Sequence, residues 1–187
     1  MATHLTLLCH GATSAMRDGA FGQATDPLDE GGRAKLARFR LEGPAHDRLM
    51  TSAALAARQT ADHVGPGAEA EAALADIDAG PWAGRSLADL LVSEPLAASA
   101  WLAAPVDGTP GGETMQSVAD RLRPWLDRIS ARDGRVVAVS HAAVLRVAVA
   151  LVLGAPLGGV LALDIAPLTA VSLSFNRIWR LRDIRSM

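Results

Sequence analysis

Two short apolar runs, each followed closely by a histidine, constrain the fold of this chain more than any other feature. Residues 4–9 read HLTLLC and precede His10, and residues 135–139 read RVVAV and precede Ser140-His141. Compact runs rich in aliphatic and β-branched residues are typical of buried strands. A helix-like segment follows each run, and strands that alternate with helices predict a mostly parallel sheet covered on both faces. Because ligands gather at the carboxyl ends of such strands, the two imidazoles are expected to converge in one pocket.

The spacing of apolar residues predicts the other elements. Helices are predicted at 28–39, 54–64, 114–129 and 142–153, and further strands at 46–51, 160–165 and 170–175, with another candidate at 178–181. Asp29 and Ser52 are available as N-terminal caps for the first two helices. Pro124 lies inside the pattern of the third helix and predicts a kink or a break there.

The chain of 187 residues is long enough for one well-buried core and short for two ordinary domains. We therefore expect a single domain over residues 1–187. Two short helical stretches between residues 86 and 109 are punctuated by Pro95 and Pro105. They predict a helical insertion that forms a cap over the sheet.

Composition argues against several classes of partner. The net charge is −2 and Lys35 is the only lysine, so no nucleic-acid surface is expected. Cys9 is the only cysteine, which excludes an intramolecular disulfide and fits a reducing compartment, so we expect the cytoplasm. The N-terminus lacks a secretory pattern, and the apolar stretch 142–153 is too short to span a bilayer, so no membrane association is expected. No cofactor is expected, and a homo-oligomer remains open.

Six ordered motifs resemble the histidine phosphatase superfamily, the phosphoglycerate mutase-like proteins. They are Cys9-His10-Gly11, the DPLDEGG stretch at 26–32, the segment from Thr51-Ser52 to Ala61, LADIDAGPWAG at 74–84, PGGET at 110–114 with Arg121, and Ser140-His141. The resemblance implies an α/β fold, a three-layer αβα sandwich with a mostly parallel central sheet.

The same resemblance implies a two-step phosphoryl transfer from a small phosphorylated metabolite or related anion. His10 would attack phosphorus, Asp76 would protonate the departing oxygen, and His141 would hydrogen-bond the transferring group. Asp76 stands where the family often has glutamate, so its side chain is one methylene shorter. Substrate-binding roles are predicted for Gly11, Thr13, Arg17 and Arg85.

Two positions depart from the family pattern. Cys9 and Ala56 occupy the places of the two arginines that clamp the phosphate oxygens, and such planar bidentate donors supply much of the catalysis of phosphoryl transfer. Arg58 lies two positions beyond Ala56, which is about 200° around a helix, so it is expected to face away. Arg17 and Arg85 are predicted to lie in loops, which are less constrained than a helix, so they are the better candidates to replace the two missing arginines.

Three functions remain open from the sequence. The favoured hypothesis is a phosphomonoesterase that acts through a phosphohistidine, with mutase activity less favoured. The alternative is a catalytically impaired relative that binds a ligand or partner without turnover. A minor alternative is a metal-binding pocket, because Cys9, His10, His141 and Asp76 form a zinc-type ligand set.

Overall fold

A single six-stranded sheet organises the chain, which a computed structural model describes over residues 2–186. Its strand order is β3-β2-β4-β1-β5-β6. The strands are β1 (Thr3–Cys9), β2 (Arg48–Thr51), β3 (Glu69–Ala70), β4 (Gly134–Ser140), β5 (Ala170–Asn176) and β6 (Ile178–Arg185). Strands β1 to β4 pair in parallel, and β5 pairs antiparallel with both β1 and β6. The predicted mostly parallel sheet is therefore confirmed.

Helices cover both faces of this sheet. They are α1 (Ser14–Arg17), α2 (Glu30–Arg38), α3 (Leu55–Val64), α4 (Leu87–Ser93), α5 (Pro95–Ala103), α6 (Met115–Ser130) and α7 (Ala142–Leu153). On β1, Leu5 and Leu7 pack with the buried residues of α6 and α7, whereas Leu8 packs with those of α2 and α3. Successive side chains of a strand point to opposite faces, so these two clusters are the two interfaces of the predicted αβα sandwich.

Helix α6 runs without the break that Pro124 predicts. Pro124 is exposed, and the opposite side of the helix buries Leu122, Trp125 and Leu126. Burial of that apolar face outweighs the hydrogen bond that proline cannot donate, and tertiary packing commonly overrides propensity in this way.

The strand predicted at 160–165 is wrong. Residues Leu157–Ala162 form a 3-10 helix instead, in which Val160 is buried while Leu161 is exposed. Pro156 and the glycine pair at 158–159 favour tight turns over extended structure. An apolar composition alone did not distinguish a strand from a turn that anchors one valine in the core.

The two predicted helix caps have different outcomes. Asp29 accepts a hydrogen bond from the Gly32 amide and caps α2, as predicted. Helix α3 has Ala54 at its N-cap and no side-chain cap, so the prediction for Ser52 is wrong. The Ser52 hydroxyl accepts from the Ala54 amide before the helix begins and turns towards His141.

The segment 86–109 contains the two predicted short helices, α4 and α5. Buried Trp82, Leu90 and Ala98 form a small cluster of their own, separate from the two clusters on the sheet. Phe21 packs against this cluster, and backbone hydrogen bonds join residues 19–21 to residues 84–87. The segment is thereby fixed to the loop that follows His10. Among residues 2–186, every helix is too short or too polar to cross a membrane.

Candidate active site

The register of the sheet brings three strand ends to one place. Cys9 pairs with Ser140 across the parallel strands β1 and β4, so His10 and His141 follow their strands at the same level. The His10 amide donates to the Ser140 carbonyl, and the Ser52 amide donates to the Val139 carbonyl, each at 2.9 Å. The predicted convergence of the two histidines is therefore observed, and Ser52 lies with them.

His10 has one ring nitrogen engaged and the other left for chemistry. Its Nδ1 lies 2.7 Å from the Gly11 carbonyl oxygen. Because a carbonyl can only accept, Nδ1 carries the proton and the neutral ring has its lone pair on Nε2. The rings of His10 and His141 meet edge to face, with centroids 4.9 Å apart. The ring protonated on Nδ1, with its lone pair on Nε2, is the tautomer that a nucleophilic histidine requires.

His141 lies between a hydroxyl and a carboxylate. Its Nε2 is 2.9 Å from Ser52 Oγ, and its Nδ1 is 3.3 Å from Asp76 Oδ2. The contact between His141 Nδ1 and Asp76 Oδ2 lacks aligned hydrogen-bond geometry. Within residues 2–186, the buried Nδ1 has no hydrogen-bond partner. His141 is buried, whereas the Asp76 side chain is 44% exposed and marks the open side of the site.

Two pKa values are shifted here in ways that matter for catalysis. Burial, and next the neighbouring His141 ring, lower the pKa of His10 below its ordinary 6.5, so the ring is neutral at physiological pH. Partial desolvation of Asp76, whose side chain is 44% exposed, acts to raise its pKa, but the neighbouring His141 prevails and lowers it. Asp76 is therefore a carboxylate in the free protein.

Comparison with known proteins identifies the family. The match to the histidine phosphatase superfamily (branch 1) covers residues 5–180. This chain belongs to the histidine phosphatase superfamily. The family predicted from the sequence is thereby confirmed.

Solved structures agree with this assignment. An alpha-ribazole phosphatase from Shigella flexneri is 25% identical, with a TM-score of 0.85 over 98% of this chain and 96% of its own. A mycobacterial glucosyl-3-phosphoglycerate phosphatase, solved in complex with VO3, is 26% identical, with a TM-score of 0.79 over 96% of each chain. No curated protein matches the chain. The neighbours are thus phosphatases of the same fold.

Residues 9 and 56, the predicted places of the family arginines, are buried and uncharged. Cys9 is fully buried in the cluster under α6 and α7, and Ala56 is buried in the cluster under α2 and α3. Burial raises the pKa of the Cys9 thiol to about 12, although Arg146 on α7 acts in the opposite sense. Cys9 is therefore a neutral thiol that fills space in the core.

Neither compensating arginine donates to a histidine of this site. Arg17 pairs with Asp29 at the start of α2. Arg85 pairs with Glu94 and donates to Ser93 at the end of α4. Arg58 is exposed, as its position on α3 predicts. Either arginine could bind substrate only after its own ion pair breaks. The substrate-binding roles of Arg17 and Arg85 remain predictions.

Gly11 and Thr13 shape the loop after β1. The Gly11 amide donates to Thr60 Oγ1 at 3.1 Å while its carbonyl orients His10. A Cβ at residue 11 would meet the Leu28 side chain at 3.0 Å, so a larger residue would require Leu28 to shift. The Thr13 hydroxyl accepts from the Met16 amide and caps α1. Their proposed contacts with substrate remain predictions.

The metal-pocket alternative has no support in this geometry. Within residues 2–186, no three His, Cys, Asp or Glu side chains are grouped closely enough to hold a metal ion.

Sequence reasoning missed the role of Ser52 and gave Arg121 only as part of a family motif. Ser52 was interpreted as a helix cap, although its position after a strand was a signal equal to that of His10. Arg121 on α6 donates to the carbonyls of Ala73, Ala75 and Asp76 and pairs with Glu113. It fixes the segment that carries Asp76, and only the three-dimensional fold reveals these carbonyl contacts.

Proposed function

We propose that this protein is a phosphomonoester hydrolase that forms a phosphohistidine at His10. The observation that carries the proposal is the orientation of His10, whose Nδ1 is bonded to the Gly11 carbonyl and whose Nε2 remains unprotonated. Membership of the superfamily and the phosphatase neighbours give the reaction class. In the first step Nε2 attacks phosphorus and the alcohol leaves; in the second, water releases phosphate and restores the free imidazole.

Asp76 would supply the proton for the leaving oxygen. It is ionised in the free protein, but a phosphate dianion placed beside it would raise its pKa by like-charge repulsion. The open side on which Asp76 lies is where a leaving group would exit. Its carboxylate could then act as acid in the first step and as base towards water in the second.

Backbone amides are the remaining donors for the phosphate. Helix α7 begins directly after His141 and has no side-chain cap at its N-terminus. First-turn amides and the helix dipole favour an anion at such a position. They are weaker than two guanidinium groups, so we expect slow turnover with high KM. Hydrolysis is favoured over mutase activity, because a phosphate shuttled between two positions needs stronger retention.

A binding role without turnover is the second candidate, favoured by the neutral side chains at residues 9 and 56. Kinetics on a panel of phosphomonoesters would separate the two, using wild type, His10→Ala, and Cys9→Arg combined with Ala56→Arg. Activity in wild type that is lost in His10→Ala supports the hydrolase, with His4→Ala as the control for removing an imidazole from an exposed site. Activity confined to the double-arginine variant would instead identify a protein that has lost catalysis.

A further inference from the structure

Ser52, His141 and Asp76 form a row of hydroxyl, imidazole and carboxylate. Ser52 Oγ lies 2.9 Å from His141 Nε2, and Asp76 Oδ2 lies 3.3 Å from His141 Nδ1 on the other side of the ring. A nucleophile in hydrogen-bond reach of a base that a third group orients is the arrangement that activates serine hydroxyls. His10 takes no part in it, since its Nδ1 is held by Gly11.

The row can act on Ser52 in one tautomer of His141. The Asp76 carboxylate lies 3.3 Å from Nδ1, although without aligned hydrogen-bond geometry. With the proton on Nδ1, Nε2 accepts from the Ser52 hydroxyl. The Ser52 oxygen also accepts from the Ala54 amide at 3.2 Å, which fixes its rotamer.

The same surroundings also admit an uncharged substrate. Cys9 and Ala56 supply no charge, and the Asp76 carboxylate lies against His141. A carboxylic ester carries no charge and therefore needs no guanidinium clamp. Ser52 and His141 are 1% and 4% exposed, which restricts the proposal to small acyl groups.

We propose that Ser52 is a second nucleophile, which transfers short acyl groups from activated esters by way of an acyl-serine. Ser52 Oγ attacks the ester carbonyl while its proton passes to His141 Nε2. The tetrahedral intermediate collapses, the C–O bond to the alcohol breaks, and the alcohol leaves with that proton. Water then attacks the acyl-serine with His141 as base, which releases the carboxylic acid and restores Ser52. First-turn amides of α7 would stabilise the oxyanion.

The activity is tested by incubating wild type, Ser52→Ala and His10→Gln with p-nitrophenyl acetate. Peptide mass spectrometry locates any acetyl group, and stopped-flow absorbance follows p-nitrophenolate release. We expect acetyl-Ser52 in wild type and in His10→Gln, and a loss of at least about 10²-fold in release for Ser52→Ala. Ser130→Ala, which removes a hydroxyl bonded only to the nearby Asp127 carbonyl, serves as the control. Circular dichroism verifies that each variant is folded.

The proposal is overturned if folded wild type carries no acetyl group on Ser52, whatever the Ser52→Ala variant does. It is also overturned if Ser52→Ala alters only phosphatase activity, because Ser52 would then merely position His141. His10→Gln removes the phosphohistidine, and although the His10 ring meets that of His141 edge to face, it changes no residue of the Ser52 row. The residue that carries the acetyl group therefore separates this proposal from the phosphatase. Failure of one activity is therefore distinguishable from failure of the other.

Discussion

At the scale of single residues, the site combines retained chemistry with altered electrostatics. His10 has the tautomer and the lowered pKa of a nucleophile, whereas Cys9 and Ala56 supply no charge to bind a phosphate. Transition-state charge is the main quantity that an enzyme stabilises in phosphoryl transfer. The arrangement therefore predicts phosphoryl transfer through His10 at a low rate.

The role of Asp76 is tested by varying the leaving group. Asp76→Asn is expected to lower kcat for an alkyl phosphate by about 10²–10⁴-fold, because the alkoxide needs a proton as it departs. For p-nitrophenyl phosphate the loss should be far smaller, since p-nitrophenolate leaves unprotonated. Steady-state kinetics on both substrates checks this, with the exposed Asp78→Asn as the matched control. Equal losses on the two substrates would contradict the acid role.

Cys9 gives a second test at this scale. Its thiol is fully buried and its pKa is raised to about 12, so almost no thiolate exists at neutral pH. We expect no labelling by iodoacetamide in the native protein and complete labelling in denaturant, measured by intact-mass spectrometry. Rapid labelling of the native protein would show that the pocket is open at Cys9.

At the scale of elements, the segment 73–78 depends on a contact from another helix. Arg121 on α6 holds three of its carbonyls, and Glu113, which pairs with Arg121, accepts from the Asp78 amide. Arg121 on α6 and Glu113 just before α6 thus set the position of Asp76.

Arg121→Met tests this dependence. Loss of these donors should lower the free energy of unfolding by about 1–3 kcal/mol and should lower kcat as Asp76 moves. Urea denaturation and kinetics measure the two effects. Arg128→Met on the same helix is the control, because the Arg128 side chain is 60% exposed and its pair with Glu71 should contribute less than about 1 kcal/mol. A variant with wild-type kcat and reduced stability would show that Asp76 is positioned without Arg121.

The sequence predicted elements well where one strong pattern acted alone. Strands β1 and β4 and the histidines that follow them came directly from compact apolar runs, and Asp29 was identified as a cap. The strand predicted at 160–165 failed because the same apolar residues also suit a turn with one buried anchor. Ser52 was misread because its hydroxyl can satisfy either a helix or a side chain, and the choice depends on β4, far along the chain.

At the scale of the whole molecule, the buried neutral His10 links folding to pH. Its native pKa lies below 6.5, so on acidification the unfolded chain binds a proton before the native protein does. His10 therefore contributes stability above about pH 6.5 that is lost as the pH falls towards its native pKa. Each tenfold difference in proton affinity between the unfolded and native states corresponds to about 1.4 kcal/mol.

His10→Gln should accordingly show a smaller fall in the free energy of unfolding between neutral and acidic pH than wild type does. Urea denaturation at a series of pH values measures the difference, and His4→Gln, on the exposed side of β1, should follow wild type. Identical pH dependence in His10→Gln and wild type would mean that His10 is not held neutral by the fold.

The central claim is that His10 becomes phosphorylated during turnover even though no arginine stands at residue 9 or 56. The direct measurement is an alkaline quench of wild type mixed with a reactive aryl phosphate, followed by peptide mass spectrometry. The account predicts a phosphoryl group on His10 that disappears as substrate is exhausted and is absent in His10→Ala. Either of two results would contradict it. One is turnover of substrate with no phosphorylated His10 at any quench time, and the other is turnover that is unchanged in His10→Ala.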